Sequence, residues 1–327
     1  MTLEDRTGKH PRGTPVRRLA AIDIGTNTVL MLVADIGEDG RIFPLEDMEQ
    51  TTRLGRGLSE TGCLHPESLA KTLEIVETYL TICRRMGVDR ILMVGTSALR
   101  EAKNAVDLLR SVQNRCGLTI VIISGEQEAR LSYLAAEKEM GHGSPLLVMD
   151  IGGGSVEFIV GRQGRISYLE SIDMGAVRMT ERFLKSDPVT DEEFQEMTHH
   201  LELKLTSLTL KPPNRVVGLG GTITSISAVH RGSACFDASL VHGSVLCRND
   251  VEQQVLLYRS TSLDERIRIP GLPRERADVI LAGASILLGA MKMLALEDII
   301  VSCHGLRYGL LYASAQGDCI EKMGKSC

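Results

Sequence analysis

The amino-terminal part of the chain carries two apolar runs joined by a short polar turn. Residues 19–24 and 28–36 are rich in aliphatic and β-branched side chains, and the turn Gly25-Thr26-Asn27 separates them. A polar turn that contains glycine between two such runs is typical of a β-hairpin. The pattern therefore predicts two antiparallel strands, with a third strand over residues 41–45.

Helical periodicity begins at Pro66. From there to Cys83, apolar residues recur at steps of three and four, which places them on one face of a helix. Proline is favoured in the first turn of a helix. A strand over 91–94, a helix over 101–115 and a strand over 118–123 are predicted next. Strands that alternate with helices in this way predict an α/β fold.

After a predicted helix over 128–140, the chain repeats its opening pattern. An apolar run over 146–151 enters the turn Gly152-Gly153-Gly154-Ser155, and β patterning then resumes. The segment Asp23-Ile-Gly-Thr-Asn-Thr28 is similar to Asp150-Ile-Gly-Gly-Gly-Ser155. Internal similarity of this kind predicts two related domains.

The rest of the chain continues the alternation. The turn Gly220-Gly221-Thr222 follows an apolar strand and begins a helix. The predicted elements are strands over 156–160, 166–172, 215–219 and 299–302, and helices over 177–184, 191–208, from about Arg274 and from about Leu306.

Length and charge restrict the class of protein. The 327 residues exceed the usual size of one domain and leave room for a cleft between two. With 37 Lys and Arg against 42 Asp and Glu, and no Trp, the chain does not fit a general nucleic-acid binder. A local basic path for a polyanion remains compatible with this overall balance of charged residues. The candidates for such a path are Arg53, Arg56, Arg178, Arg182, Arg268, Arg274 and Lys292.

The location of the protein is inferred from its cysteines and its apolar segments. Eight cysteines without a C-x-x-C pair indicate free buried thiols in a reducing cytoplasm. Residues 1–18 are basic, lack an apolar core and predict a disordered lead, without a secretion signal. The apolar segment 279–296 is interrupted by Gly283, Gly289 and Lys292. It therefore predicts a buried helix and no membrane span.

The three glycine turns suit phosphate binding. Glycine lets the backbone approach a ligand closely, and adjacent Ser, Thr and Asn side chains offer donors to phosphate oxygens. One such turn alone is often only a turn, but Asp23 and Asp150 precede two of them at the same spacing. The turns do not match a Walker loop, and the first two lead into strands where a dinucleotide-binding motif requires a helix.

Two Asp-x-Gly hairpins resemble the actin-like superfamily, whose hairpins hold phosphates from two sides of a cleft. Within it, the chain resembles the exopolyphosphatase and guanosine pentaphosphate phosphohydrolase family over nearly its whole length. The matching segments are Ala21-Ile-Asp-Ile-Gly-Thr-Asn-Thr28, Arg53-Leu-Gly-Arg-Gly-Leu58, Gly95-Thr-Ser-Ala-Leu-Arg-Glu-Ala102, Ile123-Ser-Gly-Glu-Gln-Glu-Ala-Arg130, Asp150-Ile-Gly-Gly-Gly-Ser-Val-Glu157, Gly218-Leu-Gly-Gly-Thr222, Arg276-Ala-Asp-Val-Ile280 and Gly305-Leu-Arg-Tyr-Gly309.

The resemblance implies two actin-like (ribonuclease H-like) domains, each a mixed sheet flanked by helices, with the active site in the cleft between them. Residues 19–126 and about 305–327 are expected to form domain I, and residues 127–304 domain II. The chain resembles the short form of the family, which lacks the additional carboxyl-terminal helical domain of longer members.

The resemblance also implies roles for individual residues. Glu128 corresponds to the general base, and Glu126 is its nearby competitor. Arg100 corresponds to a phosphate-binding arginine. The expected ligands of Mg²⁺, with Mn²⁺ as an alternative, are Asp150, Glu157 and Asp23. The expected phosphate-binding residues are Thr26, Asn27, Gly152, Gly153, Gly154, Ser155, Gly220, Gly221 and Thr222. For His242, in a Val-His-Gly segment that resembles the family's, a structural role is favoured.

These residues predict a cytoplasmic hydrolase that releases terminal orthophosphate from inorganic polyphosphate. The same chemistry on guanosine pentaphosphate is the nearest alternative, because both substrates end in a phosphoanhydride. A non-catalytic sensor of alarmones or polyphosphate is the binding-module alternative. An actin-like kinase that binds ATP is disfavoured, because the resemblance extends beyond the glycine turns. No nucleic-acid or membrane partner is expected, and a homodimer is left open.

Overall fold

A computed structural model describes residues 17–233 and 236–317. Residues 1–16, which are most of the predicted lead over residues 1–18, and the last ten residues, 318–327, lie outside them. Within the described residues the chain forms two mixed sheets flanked by helices. The predicted α/β class is confirmed.

The first sheet is formed by the amino-terminal strands. These are β1 (Arg17–Ile24), β2 (Thr28–Ile36), β3 (Ile42–Thr51), β4 (Arg90–Gly95) and β5 (Val121–Ile122). Their order across the sheet is β3-β2-β1-β4-β5, with antiparallel pairing among the first three and parallel pairing from β1 to β5.

The second sheet repeats this topology. Its strands are β6 (Leu146–Ile151), β7 (Val156–Arg162), β8 (Arg165–Ile172), β9 (Val216–Leu219), β10 (Val245–Cys247) and β11 (Asp298–Val301). In the order β10-β11-β9-β6-β7-β8, every strand except the edge strand β10 has a counterpart in the first sheet with the same pairing direction. The internal similarity seen in the sequence is therefore also a similarity of topology.

Helices cover the faces of both sheets. They are α1 (Leu58–Thr61), α2 (Pro66–Arg85), α3 (Ser97–Glu101), α4 (Ala105–Cys116), α5 (Gly125–Ala136), α6 (Ala176–Phe183), α7 (Asp191–Leu205), α8 (Gly221–His230), α9 (Ala238–Val241), α10 (Arg248–Ser260), α11 (Leu263–Arg266), α12 (Ile280–Met293) and α13 (Leu306–Ala315). A π-helical turn (Glu137–Gly141) follows α5, and a 3-10 turn (Arg274–Arg276) precedes α12. In the described part of the chain, no helix combines the length and apolarity needed to cross a membrane.

The helix α5 connects the cores of the two sheets. Leu131 and Ala135 of α5 pack with Leu310 of α13 in the core of the first sheet. Ala129 and Tyr133, also on α5, pack in a core of the second sheet. Since α5 contributes to both cores, it lies between the sheets. The domain limits near 126 and 305 stay predictions.

Several predicted elements have different limits. β1 begins at Arg17, inside the predicted lead, because the guanidinium of Arg18 forms an ion pair with Asp35 of β2 at 2.7 Å. β3 extends to Thr51, six residues beyond the prediction over 41–45, because pairing with β2 continues to that residue.

The predicted helix over 101–115 is confirmed as α4, but it begins four residues later than predicted, and the separate helix α3 precedes it. The side-chain amide of Asn104 accepts a hydrogen bond from the Leu64 amide at 2.7 Å and donates one to the Leu64 carbonyl at 3.1 Å. Ala102 is extended, with φ −75° and ψ 127°. This link to a distant segment separates α3 from α4. The segment 238–266, for which we predict no element, forms α9, β10, α10 and α11.

The predicted burial of the thiols is wrong for most of the described cysteines that are free. Cys63, Cys83, Cys116, Cys247 and Cys303 are free, but only Cys83 among them is buried, and Cys247 is exposed. Cys235, Cys319 and Cys327 lie outside the described residues.

Candidate active site

A cleft of about 460 Å³ lies between the two sheets. The three glycine turns meet there, because each follows a strand of a sheet that ends at this edge. The lining includes all residues assigned to phosphate binding: Thr26 and Asn27 after β1, Gly152, Gly153, Gly154 and Ser155 after β6, and Gly220, Gly221 and Thr222 after β9.

The first two turns have the same local geometry. The Gly25 amide donates to the Thr28 carbonyl at 2.9 Å, and the Gly152 amide donates to the Ser155 carbonyl at 3.0 Å. These equivalent hydrogen bonds show that the repeated sequence folds into repeated structure.

The first two turns also approach each other across the cleft. A Cβ added to Gly154 would lie 2.3 Å from the Ser97 hydroxyl, and one added to Gly153 would lie 3.1 Å from Thr26 Cβ. A side chain at either glycine would push the two halves of the site apart, so the close approach requires glycine at Gly154 above all.

The third turn depends on glycine for a different reason. Gly220 has φ +92°, a conformation that other residues rarely adopt, and a Cβ there would lie 2.4 Å from the Ile151 carbonyl oxygen. At Gly221, the guanidinium of Arg276 lies 2.0 Å from the position that a Cβ would take. An arginine therefore lies directly against this turn.

Four carboxylates converge beside the turns. Asp23 is near the end of β1, and Asp150 of β6 is the direct cross-strand partner of Glu157 on β7. Glu128 lies in the first turn of α5. Asp23, Asp150 and Glu128 line the cleft. Glu157 lies behind them, is only 2% exposed and accepts a hydrogen bond from Ser171 at 2.8 Å.

Burial makes ionisation of these acids unfavourable. Burial, together with the charges of nearby Glu128 and Asp150, raises the pKa of Asp23 to about 8, although Arg307 and Arg100 oppose the shift. Burial also raises the pKa of Glu128, Asp150 and, most strongly, Glu157. Grouped acids with raised pKa values are typical of catalytic or metal-binding sites.

Glu128 is held by Arg100. Nη1 of Arg100 donates to the Glu128 carboxylate at 2.7 Å and to the Ile123 carbonyl at 2.9 Å. Arg100 itself is behind the lining of the cleft. α5 begins at a fixed point because Ser124 and Gln127 form a capping box, which places Glu128 at the cleft.

Glu126, the competing acid in the sequence, has a different environment. Its side chain is exposed and forms an i,i+4 ion pair with Arg130 at 2.7 Å, and it is absent from the cleft lining. A step of two residues along a helix turns a side chain away from its neighbour, which separates the two acids.

The proposed basic path does not coincide with the cleft. None of its seven candidate residues lines this cleft. Arg53, Arg178 and Lys292 form ion pairs with Asp278, Glu101 and Glu252 at 2.9, 2.7 and 2.6 Å. The arginines that do line it are Arg276 and Arg307.

Sequence reasoning assigned no role to several cleft residues. Arg276 and Arg307 lie in matched segments, and that was the one signal for them. Asp47 and Glu49 lie on the unpredicted half of β3 and belong to no motif. Ser97 lines the cleft from the start of α3, within another matched segment.

A second cluster of metal-ligand type lies outside the cleft lining. Among the described residues, Glu139, His242 and His304 place ligand atoms within 4.8 Å of one another. Nδ1 of His242 accepts a hydrogen bond from the Cys303 amide at 3.2 Å. In neutral His242 the proton is therefore on Nε2, the atom that faces Glu139 at 3.5 Å. This arrangement fits a hydrogen-bonded structural cluster better than a metal site.

Comparisons with known proteins agree with the geometry. The model of the Ppx/GppA phosphatase family matches residues 32–317. Exopolyphosphatase 2 of Mycobacterium tuberculosis is 31% identical, with 91% of this chain and 98% of that protein covered.

Two solved structures share the fold over almost the whole chain. The crystal structure of the Aquifex aeolicus Ppx/GppA family member has a TM-score of 0.80 and 33% identity, and covers 93% of this chain and 99% of its own. The exopolyphosphatase from Cytophaga hutchinsonii has a TM-score of 0.85 and 26% identity, with the same coverage. With its repeated sheets, its paired glycine turns and these matches, the chain belongs to the Ppx/GppA phosphatase family.

Proposed function

We propose that this protein is an exopolyphosphatase, which hydrolyses the terminal phosphoanhydride of inorganic polyphosphate with the help of Mg²⁺. The observation that carries the proposal is the convergence of three glycine turns and three carboxylates at one cleft, with the buried Glu157 behind them. The exopolyphosphatases of M. tuberculosis and C. hutchinsonii support it.

In the proposed reaction, Glu128 is the general base. A water oxygen attacks the terminal phosphorus while Glu128 accepts the water proton. The bond between that phosphorus and the bridging oxygen breaks, and the electron pair stays on the shortened chain. Orthophosphate and a polyphosphate one unit shorter are the products. Burial raises the pKa of the half-buried Glu128, and a raised pKa makes its carboxylate a stronger base toward the water proton.

The other groups bind and orient the substrate. Arg100 holds Glu128 in one orientation through the 2.7 Å contact, and its guanidinium adds positive charge beside the reacting group. Thr26, Asn27 and Ser155 offer polar side chains on opposite sides of the cleft, and the glycines of the turns leave room for phosphate oxygens.

The residues present fit a divalent cation. Oδ1 of Asp23 is buried and has no hydrogen-bond partner, and hard carboxylate oxygens are the ligands that Mg²⁺ prefers. Asp23, Asp150 and Glu157 would hold the ion, or Mn²⁺ in its place. When bound, the ion neutralises charge on the phosphate and on the carboxylates.

Phosphate release from three substrates tests the proposal. Rates of phosphate release are compared for polyphosphate, guanosine pentaphosphate and ATP, each at the same molar concentration of substrate molecules and with Mg²⁺ present. We expect the highest kcat/KM for polyphosphate. A higher value for guanosine pentaphosphate would favour the alternative substrate. Binding of either compound without turnover would identify a sensor, and preference for ATP would contradict the proposal.

The free thiols among the described cysteines support a cytoplasmic location.

A further inference from the structure

Two acidic side chains of β3 face the cleft. Asp47 and Glu49 are two residues apart, so they lie on the same side of the strand, and both belong to the cleft lining. Acids at this position are unexpected, because a polyanionic substrate is repelled by them.

Each acid holds an arginine of the cleft. The carboxylate of Asp47 accepts a hydrogen bond from Arg307, and the carboxylate of Glu49 accepts one from Arg276. Both arginine side chains are only 12% exposed, whereas the acids are 39% and 44% exposed. The guanidinium groups are thus fixed in the cleft, and their partners are at its solvent side.

The arginines are placed to meet phosphate. Arg276 lies against Gly221, and Arg307 is close enough to Asp23 to oppose the rise in the pKa of that acid. They are the two cationic residues among the described residues that line the cleft. Both are therefore neutralised by carboxylates of β3.

We propose that Asp47 and Glu49 set the affinity for the substrate by competing with its phosphates for Arg307 and Arg276. The inference rests on the proposed function, because it assumes a condensed phosphate as ligand. Carboxylate and phosphate oxygens both accept hydrogen bonds from a guanidinium, so a phosphate that takes the donor used by the acid displaces that acid. Ion pairs with a partly exposed partner contribute little to stability, so substrate phosphates can replace the acids.

The competition weakens the binding of a substrate more when the substrate contacts both arginines than when it contacts only one. Asp47 and Glu49 are about 7 Å apart along the strand, since a strand rises about 3.4 Å per residue. A condensed phosphate can extend over this distance and displaces both acids, whereas one orthophosphate displaces one. The acids consequently lower affinity for the condensed chain, which allows the shortened product to leave after each cleavage.

Steady-state kinetics with tripolyphosphate test the inference. Removal of an acid frees an arginine, so we expect Glu49→Gln and Asp47→Asn each to lower KM roughly two- to fivefold, the range for one partly exposed ion pair, with kcat little changed. Glu46→Gln is the matched control, because it removes the same charge from an exposed position of β3 outside the cleft lining. If the acids only orient the arginines, KM rises in both variants, and the inference is overturned.

Direct binding distinguishes this inference from the proposed function. Calorimetry of tripolyphosphate with Glu128→Gln, in which we expect slow turnover, is compared with the same variant carrying Glu49→Gln. We expect tighter binding in the second protein and no gain when Arg276→Met is added to both. A gain that persists without Arg276 contradicts competition. Failure of the wild-type protein to bind or hydrolyse any condensed phosphate contradicts the proposed function, whereas normal binding that the variants leave unchanged contradicts only the role of the acids.

Discussion

At the scale of single residues, Glu128 and Glu126 differ in environment although two positions separate them. Glu128 is half-buried against Arg100 at the cleft, and Glu126 is exposed beside Arg130. We expect Glu128→Gln to lower kcat by about 10²–10⁴, the usual contribution of a general base, because the amide cannot accept the water proton. Phosphate release from polyphosphate measures this.

Glu126→Gln is the matched control for that substitution. It makes the same chemical change on the same helical turn, and we expect at least nine-tenths of the activity to remain. Equal losses of kcat in the two variants would show that kcat depends on negative charge at the amino-terminal end of α5. They would contradict proton transfer to Glu128.

His242 is expected to make stability depend on pH. Burial lowers its pKa, the neighbouring His304 lowers it further, and Glu139 opposes the shift. Tyr312 also donates to Glu139 at 3.3 Å, and His304 stacks on Tyr308. Below the ordinary histidine pKa of about 6.5, the unfolded chain binds a proton that the folded protein resists.

The free energy of unfolding should therefore fall as the pH falls below about 6.5, by at most about 1.4 kcal/mol per pH unit from this group. His242→Asn keeps an acceptor for the Cys303 amide and removes the titration, so we expect a flatter dependence. Urea unfolding at pH 7.5 and 5.5 measures it, with exposed His65→Asn as the control. The same pH dependence in wild type and His242→Asn would contradict the assignment.

At the scale of elements, the two glycine turns act as a pair because each limits the space of the other. Gly154→Ala adds a Cβ 2.3 Å from the Ser97 hydroxyl. Because this distance is too short, either the second turn or α3 must move. We expect KM for polyphosphate to rise at least several-fold. Ser97→Gly removes the obstacle, so the double variant should regain most of the affinity of Ser97→Gly alone. No recovery in a folded double variant would show that the methyl group acts by another route.

At the scale of the whole molecule, the carboxylates of the proposed cation site come from both sheets, so a cation bound there would link the two halves. We expect Mg²⁺ to raise the Tm of the wild-type protein above its value in EDTA, because an ion that binds only the folded state stabilises it. Asp150→Asn should remove most of this shift. Asp298→Asn, an exposed change on β11 of the same sheet, should retain it. Equal shifts in the two variants would place the ion elsewhere.

By itself the sequence determined the fold class, the internal repeat and most of the candidate site. The fold class, the repeat and the turns depend on local patterns, namely apolar strands that end in Asp-x-Gly and glycines at the turns. Glu128, Arg100 and Glu157 came from the resemblance to the family. Asp23, Asp150 and the three turns were found because each lies within a few residues of the element that positions it.

Only the tertiary structure decided how charges meet across the cleft. The partners in the pairs Asp47 with Arg307 and Glu49 with Arg276 are 260 and 227 positions apart. The division between α3 and α4 depends on a similar distant contact, between Asn104 and Leu64. Local periodicity contains no information about such partners, because the packing of whole sheets and helices brings them together. For that reason the basic residues chosen from sequence lay elsewhere, and the acids of β3 were found only in the folded molecule.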